Sequence, residues 1–150
     1  PLWPIACQYM MPDFGDSLEK NTSPYFTWRY IDTDFPEYKA ELRIFIVRLN
    51  GSTFLWIGQK EGKFTGLSVG IPSGRDLHSS QIYSVGTSTE SLGHNEEILS
   101  RKLAKRLNCP TFLSLSLPSG LEVLWNKVDP VTQETLSGAV ESKLLSLLTS

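Results

Sequence analysis

The sequence predicts an α+β domain: about six antiparallel strands in one sheet, two helices on one face, and the other face paired with a partner subunit. Three observations lead there. A hairpin centred on Asn50-Gly51 is apolar on both faces, two later segments carry leucines at helical spacing, and short period-2 runs divided by turn residues fill the rest. At 150 residues, with 40% hydrophobic and 20% charged residues, the chain suits one globular domain.

Residues 1–24 hold four of the nine prolines and show no periodicity, so they read as a loosely ordered arm ahead of a domain spanning 25–150. Seven acidic against three basic residues in the first 41 make this end acidic. The chain opens Pro1-Leu2-Trp3-Pro4 without methionine, and its first ten or so residues are read as a cut or foreign terminus. Tyr25 to Ile31 is rich in aromatic and β-branched residues and reads as a first strand.

The central hairpin can be read residue by residue. Asn50-Gly51 favours a two-residue I′ turn, which sets Leu49 against Ser52 and continues to Ile44 against Ile57. Alternation then puts Phe45, Val47, Phe54 and Trp56 on one face and Ile44, Ile46, Leu55 and Ile57 on the other. A hairpin wetted on one side would be apolar on one face only. Both faces here need cover, and the sequence leaves open which one meets the helices. Ile44, Phe45, Ile46, Phe54, Leu55 and Trp56 are therefore all candidate partner-binding residues.

Thr65 to Ile71 alternates apolar side chains with Gly66, Ser68 and Gly70 and ends at Pro72, while Ser80 to Val85 reads as a short edge strand. From Asn95 to Leu107, Leu99, Leu103 and Leu107 form a helical stripe, with Glu96 and Glu97 opening the helix and Lys102, Lys105 and Arg106 closing it. Asn108 suits a left-handed C′ position, and Pro110 prevents continuation. Thr111 to Leu117 returns to period 2, and Leu121 to Val128 is a further expected strand. Asp129 as N-cap and Pro130 at the first helical position predict a second helix, with a stripe of Leu136, Val140, Leu144 and Leu148.

Charge and motifs exclude more than they identify. A net charge of −2 gives no electrostatic footprint for nucleic acid or an anionic membrane, and no apolar run reaches membrane-spanning length. Cys7 and Cys109 sit in dissimilar contexts and suggest a reducing cytoplasm or nucleus rather than a disulfide scaffold; no secretory signal is visible. His78 and His94 belong to no metal-binding spacing, so neither metal nor cofactor is expected. Gly66-Leu67-Ser68-Val69-Gly70 matches G-x-S-x-G, but that motif needs a strained strand-to-helix turn. Here it lies within an alternating strand, so a small residue on a covered face explains Ser68 better than a nucleophile. The spaced glycines around Gly62-Lys63 likewise fail as a phosphate loop, because Phe64 stands where Ser or Thr is needed. Arg101, Lys102, Lys105 and Arg106 form a basic helix face, either simply solvated or a docking patch for an acidic protein.

Several segments in one order carry a family resemblance. Arg48-Leu49, Phe54 to Gly58, Leu67-Ser68-Val69, Gly86-Thr87-Ser88 through Ser91-Leu92-Gly93, Leu99 to Arg106, Thr111 to Ser114, and Val140 to Lys143 together resemble the proteasome assembly chaperone 4 family. The likeness spans roughly residues 42–148 and suggests a divergent, fungal-type member. The long arm and the stretch Asp129 to Gly138 depart from the family pattern. The resemblance implies a non-enzymatic chaperone, cytoplasmic and also nuclear, that forms a heterodimer with a type-3 assembly chaperone. Such a pair would bind proteasome alpha subunits, the alpha-5 type above all, during alpha-ring assembly of the 20S core particle. Client contact would then fall to Arg101, Lys102, Lys105 and Arg106, to the loops Lys60–Lys63 and Arg75–Ser80, or to the arm. The alternatives are a longin- or roadblock-like subunit of a trafficking complex and a small serine hydrolase using Ser68.

Overall fold

Asn50-Gly51 turns the chain with the expected register, and the ladder runs from Leu49–Ser52 through Ile44–Ile57. Only Gly51 takes positive φ, at +84°, whereas an I′ turn needs two such residues. Glycine alone carries the left-handed position, so the turn is not of the I′ type. A computed structural model describes residues 19–22, 26–72, 78–84 and 90–149. The N-terminal stretch 1–18, the loop around Arg75 and the Gly86-Thr87-Ser88 segment lie outside the described residues.

Seven strands form one mixed sheet in the order β1-β2-β3-β4-β7-β5-β6. They are β1 (Glu19–Thr22), β2 (Phe26–Phe35), β3 (Ala40–Leu49), β4 (Ser52–Gly58), β5 (Gly66–Ile71), β6 (His78–Ser84) and β7 (Thr111–Leu115). Two features refine the expected antiparallel sheet of about six strands. Glu19–Thr22, assigned from sequence to the arm, pairs with β2 as an edge strand. In addition, β7 runs parallel to β4. A parallel return needs a crossover, which here includes the β5–β6 hairpin and the long helix α1 (Glu90–Leu107).

The helices also differ from expectation. Helix α1 begins at Glu90, so His94 and Glu96 lie inside it rather than at its start. Asn108 closes it at φ +53°, as its sequence position suggested. Leu121 to Val128 is not a strand: α2 (Ser119–Leu124) occupies it, because Leu121 and Trp125 fall one helical turn apart and both enter the core. Asp129 does cap, but it caps a turn. Its Oδ1 accepts from the N–H groups of Val131 and Thr132, which also hold its carboxyl below the ordinary range. Helix α3 (Leu136–Leu148) starts only after Gln133 reverses the chain at φ +60°, with Thr135 Oγ1 accepting from Gly138 N at 3.1 Å.

Among the described residues, the three α-helices share one face of the sheet. The main core joins Leu42, Ile44, Ile46, Leu55, Ile57, Leu113 and Leu115 to Leu99 and Leu103 of α1, to Leu121, and to the α3 stripe. Arg29 of β2 and Arg48 of β3 donate to the carbonyls of Leu147 and Leu148, placing two cations at the negative end of α3. A smaller cluster of Tyr30, Phe45 and Trp56 lies on the opposite face. No described helix is long and apolar enough to cross a membrane.

Candidate docking faces

Register assigns each residue to a face. On the helix-free side, Trp28, Val47, Phe54, Phe112 and Val69 line up across β2, β3, β4, β7 and β5. All five are half-buried, and they make an apolar row about 19 Å long at ordinary strand spacing. A second row contains Tyr30, Phe45, Trp56 and Ser114. Trp28 lies 6.0 Å from Phe45, and Phe64 stacks on Tyr83 at 5.7 Å, so aromatic packing continues from β2 to β6. The rim is polar: Arg43 sits 3.2 Å from Asp32 and 5.4 Å from the centre of the Tyr30 ring. Burial, together with the nearby Asp32 carboxylate, pushes the Tyr30 phenol well above its ordinary range.

This arrangement divides the six expected partner-binding residues. Ile44, Ile46 and Leu55 lie beneath the helices at 3% exposure or less, so they belong to the core and cannot meet a partner in the folded chain. Phe45, Phe54 and Trp56 lie on the helix-free face. Phe45 and Trp56 are already only 3% exposed, which corrects the expectation that nothing in the chain covers this side. The loop after β4 folds over Trp56, whose Nε1 donates to the Lys63 carbonyl at 3.0 Å. The half-buried row is what remains available for docking. Sequence reasoning overlooked Trp28 and Phe112, since only strand order brings them beside Val47 and Phe54.

The basic candidates sit on the outer side of α1. Lys102, Lys105 and Arg106 are exposed and Arg101 is half-buried. Lys102 Nζ approaches Glu141 of α3 at 3.6 Å, which offsets part of the patch. Lys60, Glu61 and Lys63 are exposed on the other flank of the sheet. No group of three or more His, Cys, Asp or Glu side chains among the described residues is arranged to hold a metal ion.

Ser68 occupies a different kind of place. It is fully buried on β5 under α1, where its Oγ donates to Glu96 Oε1 at 2.6 Å. Gly70 is required by the helix, because a Cβ there would run into the Ser100 carbonyl; a Cβ at Gly66 would fit only tightly, 3.2 Å from the Tyr83 carbonyl of β6 and 3.3 Å from both Glu96 oxygens. The G-x-S-x-G run is thus a seat for α1. Its alternating partners Leu67 and Val69 consequently face the helix-free side.

The domain has the α+β architecture of a proteasome assembly chaperone subunit. The structure described as "Crystal Structure of a Novel Chaperone Complex for Yeast 20S Proteasome Assembly" matches it over 81% of this chain and 95% of that chain, with a TM-score of 0.56. At 16% identity, this likeness shows the fold. The family model described as Proteasome assembly chaperone 4 matches residues 41–117, half of the chain, and the chain belongs to that family. No curated protein sequence matches it.

Proposed function

We propose that the chain is a non-enzymatic proteasome assembly chaperone that forms a heterodimer with a type-3 assembly chaperone through its helix-free sheet face. In this reading the pair binds an alpha subunit, the alpha-5 type first, and promotes alpha-ring assembly of the 20S core particle in the cytoplasm and nucleus. The half-buried row Trp28–Val47–Phe54–Phe112–Val69 carries the proposal. Its aromatic and aliphatic composition suits a lasting interface, and the similar solved structure is of a chaperone complex, which supports a chaperone as the kind of partner. A client that must later be released needs a more polar contact, and the face bearing Arg101, Lys102, Lys105 and Arg106 supplies one.

Coexpression with a type-3 chaperone and purification on a tag placed on this chain tests the pairing. A one-to-one complex is expected, and addition of an alpha-5 subunit should yield a ternary complex that weakens with salt. A chain that stays alone in the presence of folded type-3 chaperone would overturn the pairing. Reversing Arg101→Glu and Lys105→Glu should weaken alpha-subunit capture while leaving the chaperone pair intact. Unchanged capture at low salt would move the client site away from α1.

A further inference from the structure

The deepest ionisable group in the fold has no part in either docking face. Glu96 is 1% exposed, and it sits where strands β5 and β7 separate. Those strands pair only from Ser68–Leu113 to Gly70–Thr111, and β5 carries an irregularity at Leu67/Ser68. Past that point the main chain of Leu115 would have lost its neighbour on the β5 side. Side chains replace the missing strand: Leu115 N donates to Glu96 Oε2 at 2.9 Å, and Thr65 Oγ1 donates to the Leu115 carbonyl at 3.2 Å. The other carboxyl oxygen takes the Ser68 hydroxyl. One side chain of α1 therefore ties the helix to both strands of the fork.

We propose that Glu96 is a protonation-controlled latch: protonated, it closes the fork between β5 and β7, and ionised, it loosens the β5–β6 hairpin from the rest of the sheet. The geometry serves the neutral acid well. With a proton added, one oxygen can still accept from Leu115 N–H and the other side of the carboxyl still meets the Ser68 hydroxyl, and a neutral group bears burial at far lower cost than a charged one. Among the described residues, the ionised form has no compensating cation. β5 presents Gly66 and Ser68 to it, β7 presents the main chain of Leu115, and the one charged side chain acting on it is the Glu97 carboxylate, which opposes ionisation. Burial is the largest cause; the hydrogen bonds from Ser68 and Leu115 favour the ionised form and offset part of it, Glu97 adds to it, and the net holds the acid near 7.

Loss of the proton begins to weaken the closed form above the ordinary carboxyl range and has its full effect above about 7. The element released carries Ile71, Ile82 and Tyr83, the exposed apolar residues of this edge. The latch would thus regulate how firmly that edge is presented near neutral pH.

Hydrogen exchange followed residue by residue from pH 5 to pH 8, corrected for intrinsic exchange, tests this on the full chain. Protection of the Leu115 amide and of Ser68 to Gly70 should fall on the order of a hundredfold over that range, and flatten above pH 7. Glu96→Gln, whose amide can make both hydrogen bonds without charge, should remove the pH dependence and keep the protection. A Glu96 with only a structural role would give the same pH profile in both proteins, which would overturn the proposal. Direct titration of the Glu96 carboxyl carbon by NMR supplies an independent reading in the unmodified chain. A midpoint near 7 that moves upward in Ser68→Ala is expected, and a midpoint in the ordinary range of an exposed glutamate would refute the latch.

Discussion

Two neighbouring rows of the same sheet differ in what covers them. On the helix side, Ile46, Leu55, Leu113 and Ser68 cross β3, β4, β7 and β5 with almost no exposed surface. One residue further along each strand, Val47, Phe54, Phe112 and Val69 cross the same strands half-buried. Both rows are largely apolar, so hydrophobicity alone does not separate a core from a docking face. The separation comes from size on β5. Gly66, Ser68 and Gly70 let α1 come close on one side, and their partners Leu67 and Val69 are left to the other.

The largest expected effect lies on the helix side. Leu55→Glu places a carboxylate under the helices between Ile46 and Leu113, with no charged residue across either ladder, and should cost several kcal/mol, enough to unfold a domain of ordinary stability. Phe54→Glu, on the other face, should leave the far-ultraviolet circular dichroism spectrum and the cooperative melt in place. Equal damage from both substitutions would erase the distinction between the faces.

Next is the pH dependence of stability. The acid of Glu96 is raised in the folded chain from 4.5 to about 7, so the native state binds more protons than the unfolded state between those values. Its contribution is fully present below about 4.5 and is lost as pH rises through 7, a change of about 3 kcal/mol. Urea titrations should show Glu96→Gln losing this slope while the parent keeps it.

A smaller effect, about 1–3 kcal/mol, is expected from Gly70→Ala, whose methyl group meets the α1 backbone and forces a shift. Val69→Ala, the adjacent residue facing the other way, should cost less, and equal melting temperatures would show that α1 can yield. The smallest effect belongs to Lys102→Ala. Its ammonium is largely solvated where it meets the half-buried Glu141, and stability should change by less than about 1 kcal/mol.

Legibility in the sequence followed the range of each interaction. The register of β3 and β4 could be read because Asn50-Gly51 fixes a short loop and alternation fixes the pairing. Which face would meet the helices could not, since Ile44 and Phe45 are equally apolar. The deciding glycines were visible, but their meaning depends on β5 lying beside β7 beneath α1, a non-local fact. The parallel pairing of β4 and β7 was hidden for the same reason. Leu121 to Val128 misled because a short apolar run fits strand and helix alike. Glu96 misled more instructively: an acidic residue near an expected helix start has a sufficient dipole explanation, and only the earlier start at Glu90 turns it inward. On the helix-free face, Phe54 and Trp56 were legible from the hairpin, whereas Trp28 and Phe112 required the strand order.

The central claim is that the helix-free row is where the chaperone partner docks. It is tested most directly by measuring the mass of the complex with a type-3 chaperone in solution for the parent, Phe54→Glu and Val69→Glu. The parent should run as a one-to-one heterodimer, and both variants should run as folded, separate chains with melting curves close to that of the parent chain alone. A heterodimer that survives both charges at undiminished affinity would contradict the claim and place the partner elsewhere.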